Sequence, residues 1–355
     1  MNLRKNQLFG LLLLILVVGM AFHACLTAPI DVATGLVEAS AGLVEAVVMV
    51  PITVTEAVVD GSTSIVESAD YHPPFSSRAK VIQEKFWTEN AEEIHTLDVK
   101  GLNGPIIVRA TDTTQISVSL RLEIFARSES AAREYMERVN AYSEREGDTL
   151  AFRVRIPRPP RNVGLSTRYQ VSAPPGVDLN LETSNGPIDV QNWLARVEAK
   201  TSNGPIHVAH TQGYLHLNTT NGKINLEDIR GHLYGSTSNG AITAEIEQQT
   251  DLMVFSTSNG NIRVNVRDGN APITIKTSNG AIQLALPFSY HGHLEAHTSN
   301  GRIRSELPVV VHESRENSLV GELQQGGNDE VRLETSNGSI LLNDVAKIDQ
   351  HADTE

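Results

Sequence analysis

One dipeptide at near-constant spacing constrains this chain more than any other feature. Asn-Gly pairs occur at Asn185-Gly186, Asn203-Gly204, Asn221-Gly222, Asn239-Gly240, Asn259-Gly260, Asn279-Gly280, Asn300-Gly301 and Asn337-Gly338. The spacings are 18, 18, 18, 20, 20, 21 and 37. Self-similarity near twenty residues marks a repeat architecture, in which no copy can bury its own apolar face and each stacks on its neighbours.

The pattern extends on both sides of the pair. A Thr stands two residues before every Asn, from Thr183 to Thr335, and an Ile three residues after it, from Ile188 to Ile340. Alternate positions further out are mostly apolar: Leu179 and Leu181, Leu215 and Leu217, Met253 and Phe255, Ile273 and Ile275 before the pair, and Val190, Val208, Leu226 and Val264 after it. Period-two alternation on both sides of a turn means two short strands, each with one buried face. Asn and Gly tolerate positive φ, which suits a two-residue corner. A hairpin is one reading of such a corner. A solenoid corner is the other, and it also explains why the same Thr and Ile recur: parallel in-register stacking turns like residues into ladders, amide ladders included. The expected fold is therefore all-β, a single-stranded β-solenoid of about eight to nine turns of 18–21 residues.

A degenerate copy comes first, with Leu97, Val99, Asn103-Gly104, Ile106 and Val108 in register and Gly101 in place of Thr. Residues 111–172 then leave the pattern. A strand near 115–125, a helix near 129–145 and a strand near 150–156 are predicted, as a capping insertion over the end of the stack. The interval of 37 residues before Asn337 is expected to hide one irregular turn, with 318–327 as a loop.

The start reads as an export signal over 1–24, with Arg4 and Lys5 ahead of the apolar run Leu8–Ala21. Cys25, the sole cysteine, follows directly, so no intramolecular disulfide is available to it. A lipid on Cys25 is expected, with an uncleaved signal anchor as the alternative. Residues 25–88 read as a membrane-proximal helical stalk and linker, 89–347 as the solenoid and 348–355 as a disordered tail.

The Thr-Ser-Asn-Gly-x-Ile repeats, the strand–helix–strand excursion after the first turn and the closing Gly326-Gly327…Thr335-Ser-Asn-Gly-Ser-Ile340 segment resemble a bacterial family. This is the putative-adhesin family of head-GIN-like domains of unknown function, and the likeness covers residues 90–345. The resemblance implies a right-handed β-helix outside the cytoplasm, often membrane-tethered, and it carries no catalytic residues.

The chemistry on offer is sparse. The formal net charge is −13, which disfavours nucleic acid, since binding phosphates means supplying many Lys and Arg. Two outward rows stand four places after and three places before each Asn. Neither repeats a ligand type or an aromatic, so no stacking platform for sugars is expected. His291, His293, Glu295 and His297 share one strand face, but nothing supplies the outer shell of a metal site, and an exposed polar face is expected there. Arg153, Arg155, Arg158, Arg161 and Arg168 form a possible anion patch. The expected function is non-catalytic, an extracytoplasmic adhesin-like binding or scaffold protein with no cofactor. It would be tethered to the membrane by its N-terminus and would meet an envelope glycan or surface protein. A self-assembling structural element is the alternative, and a polysaccharide-acting enzyme a distant third.

Overall fold

Period-two alternation lets a strand bury one face only, so each turn needs a neighbour above and below. In a computed structural model, which describes residues 46–48, 79–324 and 326–347, that need is met by parallel stacking. The 1–24 signal, Cys25, nearly all of the expected stalk and linker, and the 348–355 tail lie outside the described residues. Each turn, or rung, contributes one strand before its Asn-Gly corner and one after it. After the corner, Ile106, Ile188, Ile206, Ile224, Ile242, Ile262 and Ile282 are paired rung to rung in register. Before the corner, Thr183, Thr201 and Thr219 align, as do Thr237, Thr257, Thr277, Thr335 and Thr298. The protein is thus an all-β solenoid, and the inward Ile residues from Ile188 to Ile282 and at Ile340 are at most 1% exposed. Burying each such side chain is worth about 1.5–3 kcal/mol relative to leaving it in water.

The corner is built differently from the expectation. None of the repeat Asn-Gly residues has positive φ, apart from Asn103 of the degenerate copy. Glycine is required for close approach instead. A Cβ on Gly204 would lie 1.8 Å from the Gly186 carbonyl oxygen, and one on Gly222 1.8 Å from that of Gly204. That carbonyl is also where the polar inward Thr finds its partner. Thr201 Oγ1 donates to Gly186 O at 3.1 Å, and Thr219, Thr237, Thr257 and Thr277 each donate to the corner Gly of the preceding rung at 3.0 Å. The Asn side chains form a continuous amide ladder, with Nδ2 of Asn221, Asn239, Asn259 and Asn279 donating to Oδ1 of the previous Asn at 2.7–2.8 Å. Positive φ occurs at the second corner, where Asn192, His210 and Asp228 stand at 61°, 50° and 51°. The longer 20-residue rungs place their extra residues there too, as register shifts between Leu226 and Leu233 against the next rung.

Chain order and stacking order part company at both ends. Ile340 lies between Ile282 and Ile303, so the last copy in sequence is inserted inside the previous one. Its amide follows suit: Asn337 donates to Asn279, and Asn300 to Asn337. The long interval before Asn337 therefore hides no irregular turn. It holds an antiparallel hairpin of Val309–Arg315 and Ser318–Leu323, whose second strand pairs with Gly292–Thr298. At the other end, Thr149–Arg155 and Gly164–Ala173 pair on the outer edges of Thr96–Lys100 and Ile106–Ala110. Thr167 takes the corner position there, accepting a hydrogen bond from Leu102 N at 2.7 Å.

Two element boundaries differ from the sequence reading. The helix stops at Met136, and Asn140–Glu146 is a strand antiparallel to Thr149–Arg155. Gly147, at φ 63°, makes the tight turn that a continued helix would forbid. The folded unit also begins earlier than residue 89, because Ala79–Asn90 is a strand paired with Gln115–Ala126. Its pattern is inverted, with Lys85 and Trp87 buried and Phe86 exposed. Lys85 Nζ donates to the Ala141 carbonyl at 2.6 Å, which is how a cation is tolerated inside.

Candidate anion site and the outer faces

The arginine cluster is sorted by its partners. Arg153 turns toward the stack, donating to the Asp98 carboxylate and, at 2.8 Å, to the Asp98 carbonyl oxygen. Both side chains of that pair are largely buried, so Arg153 is committed to holding two rungs together. Arg155, Arg158, Arg161 and Arg168 are exposed. Of these, Arg161 lines a concavity at the N-terminal end of the stack. Arg127, just before the helix, and Arg138, just after it, line it too, with Tyr135 and Pro160 as walls and Glu134 as the one acid. Among the described residues these three arginines have no ion-pair partner, whereas Arg109, Arg121, Arg133, Arg145, Arg196 and Arg332 are each paired with an acid. The hollow has a volume of about 180 Å³.

Local folding explains why the three converge. Ser128 caps the helix, its Oγ accepting from Ala131 N at 3.3 Å, which places Arg127 at the helix entrance. Tyr135 Oη donates to the Pro157 carbonyl at 2.7 Å and ties the proline-rich loop against the helix, so that Arg161 lines the same hollow as Arg138. Burial raises the Tyr135 hydroxyl above its ordinary pKa, with the Arg138 charge acting against that, so Tyr135 stays neutral. A planar guanidinium matches a carboxylate or phosphate with two parallel hydrogen bonds. Three of them around one hollow can take a multiply charged anion. The sequence pointed to the loop arginines, but not to Arg127 and Arg138, which reach the site only because the helix ends where it does.

The outward faces carry two further clusters. On the face after the corner, Asp189 bonds Arg109 Nη2 at 2.5 Å and lies 3.4 Å from His207 Nδ1, whose Nε2 is 3.4 Å from Glu227. Burial pushes the Asp189 carboxyl up, but hydrogen bonds from His207 and Arg109 outweigh it and hold the group below its ordinary value. The hydrogen bond to Asp189 likewise raises the His207 pKa. Both imidazole nitrogens thus lie 3.4 Å from a carboxylate oxygen, and the buried Nε2 makes no hydrogen bond among the described residues.

The face before the corner corrects the expectation of no aromatic rows. Five and seven places before the Asn, rows that the sequence reading passed over, stand His216 and Tyr234, and Tyr214 and His232. Rung pairing brings them side by side. Tyr214 and His232 are stacked at 4.7 Å, and His216 and Tyr234 meet edge to face at 4.7 Å. Arg196 covers the far side of the Tyr214 ring at 4.6 Å. Reading every outward row at the repeat spacing would have found them. His293 bonds Glu322 at 3.0 Å and Glu295 pairs with Arg332 at 2.8 Å, so two of the four residues weighed for a metal are held by other partners. No group able to hold a metal ion occurs among the described residues.

The family model Toastrack DUF4097 matches residues 94–343. Three solved structures are similar over most of their length. A putative cell adhesion protein from Clostridium sporogenes is 10% identical, with 74% of this chain and 100% of that chain covered and a TM-score of 0.25. A putative adhesin from Parabacteroides merdae is 11% identical, with 73% and 95% covered and a TM-score of 0.41. A putative adhesin from Bacteroides fragilis is 11% identical, with 74% and 97% covered and a TM-score of 0.33. No curated protein matches the chain.

Proposed function

The chain belongs to the Toastrack DUF4097 family, and from that premise we propose that it is a non-catalytic, adhesin-like binding module held outside the cytoplasm at the bacterial envelope. The observation that carries the reading is the hollow between Arg127, Arg138 and Arg161, three arginines without an ion-pair partner among the described residues, on a chain of net charge −13. Three guanidinium groups that share one hollow with a single acid, Glu134, repel one another, which an anionic ligand would relieve. The ligand class is an acidic envelope polymer, with carboxylate or phosphate groups as the recognised chemistry. The solenoid supplies a rigid mount, because its corners, amides and Thr hydroxyls are all satisfied between rungs.

Retention on immobilised polygalacturonate and on phosphatidylglycerol vesicles tests this reading and separates a glycan from a lipid source. The parent should bind one of them in a salt-sensitive manner. Arg127→Ala/Arg138→Ala/Arg161→Ala should lose at least about tenfold in affinity with an unchanged β-sheet spectrum. Equal retention of parent and variant would sink the arginine site. Tethering rests on the apolar run before Cys25. Cys25→Ser should abolish labelling by a fatty-acid analogue and release the protein from membranes; absence of label in the parent with unchanged fractionation would favour the uncleaved anchor.

A further inference from the structure

The outer face before the corner changes character along the stack. The rung of Val197–Thr201 presents Glu198 and Lys200, and the rungs toward the C-terminal end present Lys276, Arg332 and Glu334. Between them the outward residues nearest the corner include no Asp, Glu, Lys or Arg: Tyr214, His216 and Asn218, then His232, Tyr234 and Ser236, then Val254 and Ser256. The charges at its rim already have partners: Arg196 is paired with Glu198 and lies over the Tyr214 ring, Asp251 lies 3.4 Å from His232 Nδ1, and Lys276 is paired with Glu334 at 2.9 Å. The strip itself is half-buried at its four rings rather than fully exposed.

Its chemistry is amphipathic in one direction. Toward the second corner lie the four rings; toward the Asn-Gly corner lie hydroxyls and an amide, Asn218, Ser236 and Ser256, with Ser256 Oγ 3.1 Å from Ser236 Oγ. The two ring pairs do different things. Tyr214 is sandwiched between Arg196 and His232, which leaves its edge and hydroxyl outward. His216 and Tyr234 are at 85°, so the ring that gives its edge keeps both faces outside the pair. A groove of about 400 Å³ adjoins the strip at Ser256 and continues past Lys276 and His297.

We propose that this strip is a second binding surface, for a neutral, hydroxyl-rich oligosaccharide lying across the rungs. Aromatic surface takes the apolar face of a sugar ring, while Tyr, His, Asn and Ser tips exchange hydrogen bonds with its hydroxyls. A charged ligand would forfeit solvation here while the rim charges, Arg196 and Asp251, already lie against Glu198 and His232. Parallel strands fix the ring positions, so little ordering entropy remains to be lost on binding. The inference builds on the reading of the chain as a binding module but uses none of the arginine hollow.

An array of neutral and acidic oligosaccharides, probed with the full chain, tests it. At least one neutral oligosaccharide should be retained, with little sensitivity to salt. Tyr214→Ala/Tyr234→Ala should weaken that retention by about tenfold or more, with the melting temperature as a check on folding. Tyr214→Phe/Tyr234→Phe, which keeps the rings, should retain part of it. The triple arginine variant should bind the neutral ligand like the parent, so the two sites fail or stand separately. The proposal is overturned if no neutral oligosaccharide binds, if the alanine pair binds as the parent does, or if this face crosslinks to an envelope protein while retaining no glycan.

Discussion

Ile242→Asp is expected to destabilise the solenoid by about 4 kcal/mol or more, whereas Thr243→Asp should change it by no more than about 0.5 kcal/mol. The two residues are adjacent in sequence and opposite in environment. Ile242 is wholly buried, paired in register with Ile224 below and Ile262 above. A carboxylate there would sit in a continuous apolar ladder with no donor facing it, and it would disturb both neighbouring rungs. Thr243 points outward between Asn225 and Arg263, where a carboxylate is solvated and meets a guanidinium. Thermal or urea unfolding followed by circular dichroism reads the difference. Similar midpoints for the two variants would overturn the inward and outward assignment on which every row above depends.

The second large effect concerns residues 111–172. Their excision should leave the stack formed but open at one end. Ala110 and Ala173 are direct partners on neighbouring strands, so joining them spans roughly one strand spacing, about 4.8 Å. The joined chain would have 20 residues between Asn103 and Asn185, the spacing of the regular rungs at Asn239 and Asn259. The segment is thus an insertion into a solenoid that is otherwise continuous. What its loss exposes is the outer edge of Thr96–Lys100 and Ile106–Ala110, whose partners are Thr149–Arg155 and Gly164–Ala173. Strand 79–90 would lose its partner as well. An open parallel edge recruits further chains. Light scattering over a concentration series should show oligomers or fibres in the deletion variant at concentrations where the parent stays soluble. A soluble, monomeric, β-rich variant would show that the insertion does not serve as a cap. The far end offers a comparison within the same molecule: among the described residues one edge of Val309–Arg315 has no strand partner, but the strand is bulged between Val311 and Glu313 and carries His312, Glu313 and Arg315. Such devices blunt an edge without covering it.

Much of this protein was legible in its residues alone. The period identified the rungs, and alternation fixed which side chains enter the core. The repeated Thr announced a polar contact at the corner, which proved to be the neighbouring Gly carbonyl. These are properties of a single turn, and a sequence that repeats states them many times over. The role of glycine was misread because a lone Asn-Gly turn demands positive φ, while a stacked one demands an absent Cβ; only the distance of 1.8 Å to the next rung distinguishes them. The order of the rungs was likewise beyond the sequence. Every rung presents the same hydrogen-bonding edges, so nothing local tells Asn337 to lie between Asn279 and Asn300, or residues 149–173 to lie outside 96–110. That choice falls to the parts without a repeat, the terminal hairpins and the insertion, which cover whichever edge remains. The sites follow the same division. Arg127, Arg138 and Arg161 are 11 and 23 residues apart in the chain and become neighbours only through the helix end and the loop tied to Tyr135. Tyr214 and His232 stand at the rung spacing and were open to a fuller reading, but that one pair would stack and the other would meet at right angles depended on side-chain packing between rungs, which no periodicity encodes.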